Sequence, residues 1–289
     1  MSRKDFRRLQ LIELDLIKEL DRVCRKHNIK YCITCGTLLG AVRHHGYIPW
    51  DDDADIIMMR EDYEKFKRLS QEGELNSNIA FFQDYDVDNN YLWGYGKLKR
   101  VGTTFVRDGQ EHLPVKTGVG IDVFPLDDAP KSICGQFIQD KYYYILRKLL
   151  WAKVGCVSES GFKKIIYKIL EKIPTEWIHK ASSHFINFNN NNTDNRVRVL
   201  FLPAFGKLYR INPLMIRYSM PKTWFTKRKE YLFEGIKLWG TADADDFLKY
   251  VYGDYMTLPP VAQRVLHCPA SSYDFGDLYA DVVLDEKGK

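Results

Sequence analysis

The sequence predicts an α/β fold: a small mixed sheet that carries three acidic side chains, with a helical insertion. Three observations predict it. The acidic run Asp51-Asp52-Asp53-Ala54-Asp55 passes straight into Ile56-Ile57-Met58-Met59, whose β-branched start reads as a buried strand. Residues 119–124 set Asp122 between Ile121 and Val123 in a second apolar strand, where an acid needs a partner. Helical stretches flank these strands, and no internal repeat is visible.

The chain has 289 residues, enough for one large domain or one domain with a sizeable insertion. At 45% hydrophobic and 28% charged it has the composition of an ordinary globular protein. A net charge of +5 is too slight to argue for nucleic acid, but it suits an anionic nucleotide or an anionic membrane surface. Residues 1–8 are charged, with no apolar core after them, and no apolar run approaches the ~20 residues that span a bilayer. The six cysteines are scattered. Cys32-x-x-Cys35 lacks the second half of a zinc site and is expected as reduced residues on a core strand. Asn191-Asn192-Thr193 is a formal glycosylation acceptor that carries no weight without a secretion signal. The expected compartment is the reducing cytoplasm.

Residues 4–27 carry Leu9, Ile12, Leu16, Leu20 and Val23 at helical spacing, and Asn28 is a left-handed cap candidate. Residues 31–35 read as the first core strand, running into Gly36-Thr37 and a short helix over 38–42. A helix start after a glycine turn offers backbone N–H groups to a phosphate, and Gly36 allows a ligand close to the backbone. Arg43 reads either as a grip on a phosphate oxygen or as a surface ion pair. His44-His45 reads as an exposed loop pair, and Trp50 as core beneath the acids or, as the second choice, as lining of the pocket. Residues 60–69 read as a helix with Asp62 as N-cap, and 79–83 as a strand. Tyr91, Trp93 and Tyr95 alternate. They form either an ordinary sheet face or a set of aromatic faces for a cationic head group. Lys97 and Lys99 alternate likewise, and Pro125 to Asp128 ends the strand of Asp122.

In residues 137–172, Lys141, Arg147, Lys148, Lys153, Lys163, Lys164, Lys168 and Lys172 face only Asp140, Glu159 and Glu171. The segment reads as two helices broken near Gly155 and Gly161, either a layer packed on the sheet or a membrane-lying surface. Residues 189–195 are Asn-rich, and 196–225 look irregular. Residues 233–236 read as a strand or turn, 243–252 as a helix stopped by Gly253, and everything from Pro269 onward as a tail without a role. The expected organisation is a catalytic core over 1–130, a basic helical insertion over 131–225, and a C-terminal segment, 226–289, that completes the core.

In a strand, residues two apart share a face, so Asp53 and Asp55 point one way and Asp52 the other. Asp51 joins the first pair if the strand starts early. Carboxylates side by side repel, and a hard divalent cation, magnesium or manganese, relieves them. The bland alternative is a solvated turn. A Gly-Thr turn followed by acid-apolar-acid-apolar, with a third acid on a neighbouring strand, is the signature of nucleotidyltransferase-type folds. Asp53, Asp55 and Asp122 are then the candidate metal ligands.

The stretch Gly36-Thr-Leu-Leu-Gly-x-x-Arg43-x-x-Gly-x-Ile-Pro-Trp50-Asp-Asp-Asp-x-Asp55 resembles the LicD family of phosphotransferases, relatives of fukutin and fukutin-related protein. Lys97 with Thr103-Thr104-Phe105, Gly120 to Asp127, and Tyr252-Gly253-Asp254 with Pro259-Pro260 and His267 agree with it. Residues 131–225 match little, and Thr241-Ala242-Asp243 stands where the family has a proline. The resemblance implies metal-assisted transfer of a phospho-alcohol, typically phosphocholine from CDP-choline, to a hydroxyl of a glycan, which is lipid-linked in some cases, with release of CMP. Gly36, Thr37, Arg43 and Lys97 would steady the phosphates, and Asp122 or Asp51 would take the hydroxyl proton. Arg264 and His267 are candidates to reach the site. The alternatives are a true nucleotidyltransferase, attacking the α-phosphorus with loss of pyrophosphate, and a non-catalytic glycan-binding protein.

Overall fold

The computed structural model describes residues 1–189, 195–203, 218–266, 268 and 270–284. Asn191-Asn192-Thr193, Pro213, His267 and Pro269 lie outside the described residues. The chain begins with α1 (Arg3–Lys26), capped by Ser2, whose hydroxyl accepts from the Asp5 N–H at 3.0 Å. Leu9, Ile12, Leu16, Leu20 and Val23 are buried along one stripe, and Asn28 leaves the helix at φ +52°. Next come β1 (Cys32–Ile33) and α2 (Cys35–His44). The helix thus starts three residues earlier than expected, and Cys35 sits at its head rather than on the strand. β2 (Asp55–Met59), α3 (Arg60–Gln71) and β3 (Ala80–Gln83) follow. Asp62 does not cap α3. Met59 holds that position, and the Asp62 carboxylate accepts from the Lys30 N–H at 3.0 Å.

β4 (Gly96–Arg100), β5 (Thr104–Arg107) and β6 (Gly120–Asp128) complete the first half. β6 runs through Pro125 instead of ending there. β4 ends opposite Val123, so the missing proline N–H lies beyond the last rung on that side. α4 (Ile133–Ser158) also runs through its expected break at Gly155 and stops before α5 (Gly161–Leu170). α6 (Thr175–Asn189) follows. The region expected to be irregular contains β7 (Arg196–Arg198), β8 (Met220–Pro221) and α7 (Thr223–Thr226). β9 (Arg228–Phe233), β10 (Ile236–Thr241), α8 (Ala244–Tyr252) and β11 (Ala270–Asp274) close the chain.

One mixed sheet runs β3-β4-β6-β2-β1-β10-β9, extended from β6 through β7 to β8. β1 with β10 and β2 with β6 are parallel; the other pairs in it are antiparallel. The fold is therefore mixed α/β, as the sequence indicates. α1 lies against β4 and β6, and α3 against β2, β3 and β6. Their apolar faces join the sheet in one large core that includes Leu16, Ile56, Phe66, Leu98 and Val123. The expected tail is not free: β11 pairs antiparallel with β5, and Phe275 packs with Leu9, Ile12 and Val119.

Candidate active site

The register places the acids. Asp122 of β6 lies directly opposite Asp55 of β2 on one side and Lys97 of β4 on the other. Side chains at paired positions share a sheet face, so the three project together. The Lys97 ammonium is ion-paired to Asp122. Asp51 to Ala54 precede the strand, and their positions are fixed from outside the sheet. The Gln10 amide donates to the Ile48 carbonyl at 3.2 Å and to the Asp51 carbonyl at 3.0 Å. Arg7 holds Glu234 at 2.6 Å, and Glu234 accepts from the Tyr47 N–H at 3.0 Å. The β9–β10 turn and α1 thus pin the loop that delivers Asp51.

Burial and neighbouring charge suppress the ionisation of Asp51, Asp53 and Asp55. Burial and then Asp53 and Asp52 push Asp51 up to about 7. Burial and then Asp122 and Asp52 push Asp53 up to about 6, against the pull of Arg107 and Lys97. Asp55 is raised well above the usual range by burial, Asp53, Asp122 and Asp51. Asp51, Asp53, Asp55 and Asp122 therefore form one electrostatic cluster.

Two cavities flank the acidic run, one lined by Asp51, Asp53 and Asp55 and the other by Asp52. A cleft of about 710 Å³ is lined by Gly36, Arg43, Trp50, Asp51, Asp53 and Asp55, and across from them by Tyr252 to Gln263 residues of the closing segment. A second cavity of about 270 Å³ carries Asp52, Lys97, Lys99 and Arg107 together with Tyr91, Trp93, Tyr95, Phe105 and Trp151. The alternation expected along the acidic run thus separates Asp52 from its neighbours. Trp50 is half-buried: it packs against the core and also lines the cleft, edge-on to His44 at 6.0 Å and under the Arg264 guanidinium at 5.7 Å. Tyr91, Trp93 and Tyr95 precede β4 rather than belonging to it, yet all three line the second cavity.

The expected phosphate contacts are placed unequally. Arg43 lines the cleft and donates to the Tyr255 carbonyl at 2.6 Å. Thr37 does not face it: its buried hydroxyl accepts from the Asp55 N–H at 2.8 Å, which makes it a positioning residue. What approaches Gly36 closely is the Asp51 carboxylate, leaving no room for a Cβ. Cys35 lines the cleft at φ +45°, an uncommon conformation for a non-glycine residue, and burial and Asp55 push its thiol up.

Sequence reading missed three residues here. Arg107 keeps its charge against burial because Asp122, Tyr95, Asp52 and Asp53 surround it. Its signal is the alternation Phe105, Val106, Arg107 on β5. Glu13 lies four residues after Leu9 on the buried stripe of α1. It is 2% exposed, and burial followed by Asp53 raises it well above the usual range. Trp151 hid among the lysines of α4. Tyr252, quoted with the closing block of the resemblance, lines the cleft from the last turn of α8.

The donor set is all carboxylate oxygen, which suits a hard cation, and the raised Asp53 and Asp55 are the cost of leaving them unrelieved. In their place Lys97 and Arg107 offset part of the charge. Among the described residues, no three His, Cys, Asp or Glu side chains are gathered into a finished metal cage. The chemistry fits; ligation would require Asp122 to exchange its contact with Lys97.

Residues 28–143 match the family described as LicD/FKTN/FKRP, nucleotidyltransferase domain. Over 280 residues, 94% of this chain and 99% of the relative, the sequence is 26% identical to the lipopolysaccharide cholinephosphotransferase LicD of Haemophilus influenzae. An uncharacterized protein of Rickettsia prowazekii is 44% identical over 73 residues, 25% of this chain and 27% of that one. One of Rickettsia typhi is 54% identical over 54 residues, 19% of this chain and 18% of that one.

Proposed function

We propose, from the LicD/FKTN/FKRP nucleotidyltransferase domain present in this chain, that it transfers a phospho-alcohol from a CDP-alcohol to a glycan hydroxyl and releases CMP. Phosphocholine is the group that fits best. The observation that carries this reading is the acidic run, which gives Asp51, Asp53 and Asp55 to an open cleft and Asp52 to an aromatic cavity. The nucleotide would lie in the cleft and the diphosphate at the acids. The quaternary ammonium would lie among Trp93, Tyr95, Phe105 and Trp151, whose faces attract a cation.

Asp53, Asp55 and Asp122 would hold magnesium or manganese, which when bound offsets the charge on the diphosphate oxygens. Arg43 is placed to hold a phosphate on the cleft side, and Arg107 and Lys97 on the other. Asp51, raised to about 7, is tuned to accept the proton of the attacking hydroxyl. The new bond joins that oxygen to the phosphorus bearing the alcohol, the bond to the CMP oxygen breaks, and CMP keeps the electron pair. Thr37 holds the Asp55 backbone in place.

A second reading has one observation in its favour: Lys97, Lys99 and Arg107 in the inner cavity would also suit pyrophosphate leaving from CTP. Incubation with magnesium and separate CDP-choline, CDP-ribitol, CDP-glycerol and CTP distinguishes the two. CMP from CDP-choline alone supports phosphocholine transfer; CMP from another CDP-alcohol keeps the reaction and changes the alcohol. Pyrophosphate from CTP overturns the assignment. Asp53→Asn and Asp55→Asn should abolish turnover and manganese binding by calorimetry while leaving the melting transition cooperative.

A further inference from the structure

Among the described α-helices, α5 alone buries none of its residues. Phe162, Ile165, Ile166 and Ile169 are 75%, 57%, 40% and 64% exposed. At 3.6 residues per turn they occupy one arc of roughly 100°, and Lys163 and Lys168 lie about 60° beyond its two edges. Tyr167 points elsewhere, against α4, where a Cβ on Gly155 would lie 2.6 Å from its ring. The helix is therefore held from one side and shows an apolar stripe on another. Trp177, early in α6, is 69% exposed.

The basic segment 137–172 divides in two by its contacts. Arg147 and Lys153 of α4 are tied to backbone carbonyls, and Lys141 to Asp140. Lys163, Lys164, Lys168 and Lys172 make no ion pair with any described residue. An exposed apolar stripe with unpaired lysines along both edges has the form of a helix that lies in a lipid interface.

We propose that α5 docks the protein on an anionic bilayer, with Phe162, Ile165, Ile166 and Ile169 among the acyl chains and Lys163 and Lys168 at the phosphates. The charge selects this occupant. Apposing two copies through the stripe would bring lysine rows together, α5 carries no acid of its own to meet them, and like-charge contact opposes such a pairing. The inference is independent of the reaction proposed above.

Vesicle flotation tests it. With phosphatidylglycerol vesicles at low ionic strength the protein should float, and much less so with phosphatidylcholine alone. Each lysine near the surface is worth about fivefold in partitioning, so K163E/K168E should lose at least about twentyfold, more at low than at high salt. I165S/I169S should detach the protein at either salt, with unchanged melting because the sites are exposed. A Phe162→Trp variant should shift its emission to the blue on anionic vesicles. If the unmodified chain stays in the aqueous fraction at low salt, or if both double variants still float, the proposal fails. It fails equally if sedimentation shows a dimer that I165S/I169S dissolves, since the stripe then joins copies.

Discussion

Gly36→Ala should inactivate the protein while barely changing its stability. A Cβ on Gly36 would come closer than 3.0 Å to one Asp51 carboxylate oxygen and lie 3.5 Å from its Cγ. Backbone cannot give here, because Asp51 is held from behind by Gln10 and Gly36 is in the first turn of α2. The Asp51 carboxylate must therefore swing by about 1 Å, and misplacement on that scale costs a catalytic group about a hundredfold. Against the strain, about 1–2 kcal/mol, stands the better helix propensity of alanine, about 1 kcal/mol. The melting temperature should move little. The assay is CMP release from CDP-choline with magnesium, alongside a thermal melt. Asp51→Ala should be as inactive, and the pair Gly36→Ala/Asp51→Ala no worse than Asp51→Ala alone, because both changes act on one carboxylate. Full activity in a well-folded Gly36→Ala protein, or losses that multiply in the pair, would refute the role given to Asp51.

Three further outcomes follow from single contacts. Thr37→Val keeps the shape but leaves the Asp55 N–H without its acceptor at 2.8 Å, and should cost about 1–3 kcal/mol in urea melts, with Thr37→Ser close to the parent. His179 stacks on Tyr85 at 3.9 Å, and burial lowers its pKa to about 4 from 6.5. The unfolded chain then binds a proton that the folded one refuses between those values, so stability is full above 6.5 and falls toward pH 4. His179→Phe should remove up to about 3 kcal/mol of that fall, and an unchanged pH profile would count against it. Trp151→Leu should raise the KM for CDP-choline about tenfold by removing one cation–π face, and leave that for CDP-ribitol nearly unchanged.

The acids were readable because charge inside an apolar strand is expensive and therefore conspicuous: Asp53, Asp55 and Asp122 stand out in any window. Period two also separated Asp52 from its neighbours correctly, although the strand begins only at Asp55. What local pattern could not supply was the long-range framing. β5 is four residues long and is paired only by β11, some 160 positions later, so neither strand had a visible reason to exist. Arg107 was lost with them. Thr37 was read as facing a ligand because a glycine turn suggests an open loop. The helix begins at Cys35 instead, which turns the Thr37 hydroxyl inward. The acidic Glu13 was passed over as one charge among many on α1, although it falls on the buried stripe.

Whether the inner cavity takes an alcohol head group or a pyrophosphate turns on how much positive charge it can spare. Lys97 is paired to Asp122. Burial and Lys97 lower Lys99 to about 7, and its ammonium already donates to the Lys116 carbonyl at 2.6 Å. Arg107 answers to Asp122, Asp52 and Asp53. Asp52 and Glu111 line the same walls. A pyrophosphate with several charges would have to draw these cations away from their carboxylates, leaving Asp122, Asp52 and Asp53 without counter-charge. A phosphocholine needs only one phosphate held at Arg107 and Lys97, and its ammonium is repaid by Trp93, Trp151 and the acidic wall. The charge balance thus favours attack at the phosphorus that bears the alcohol.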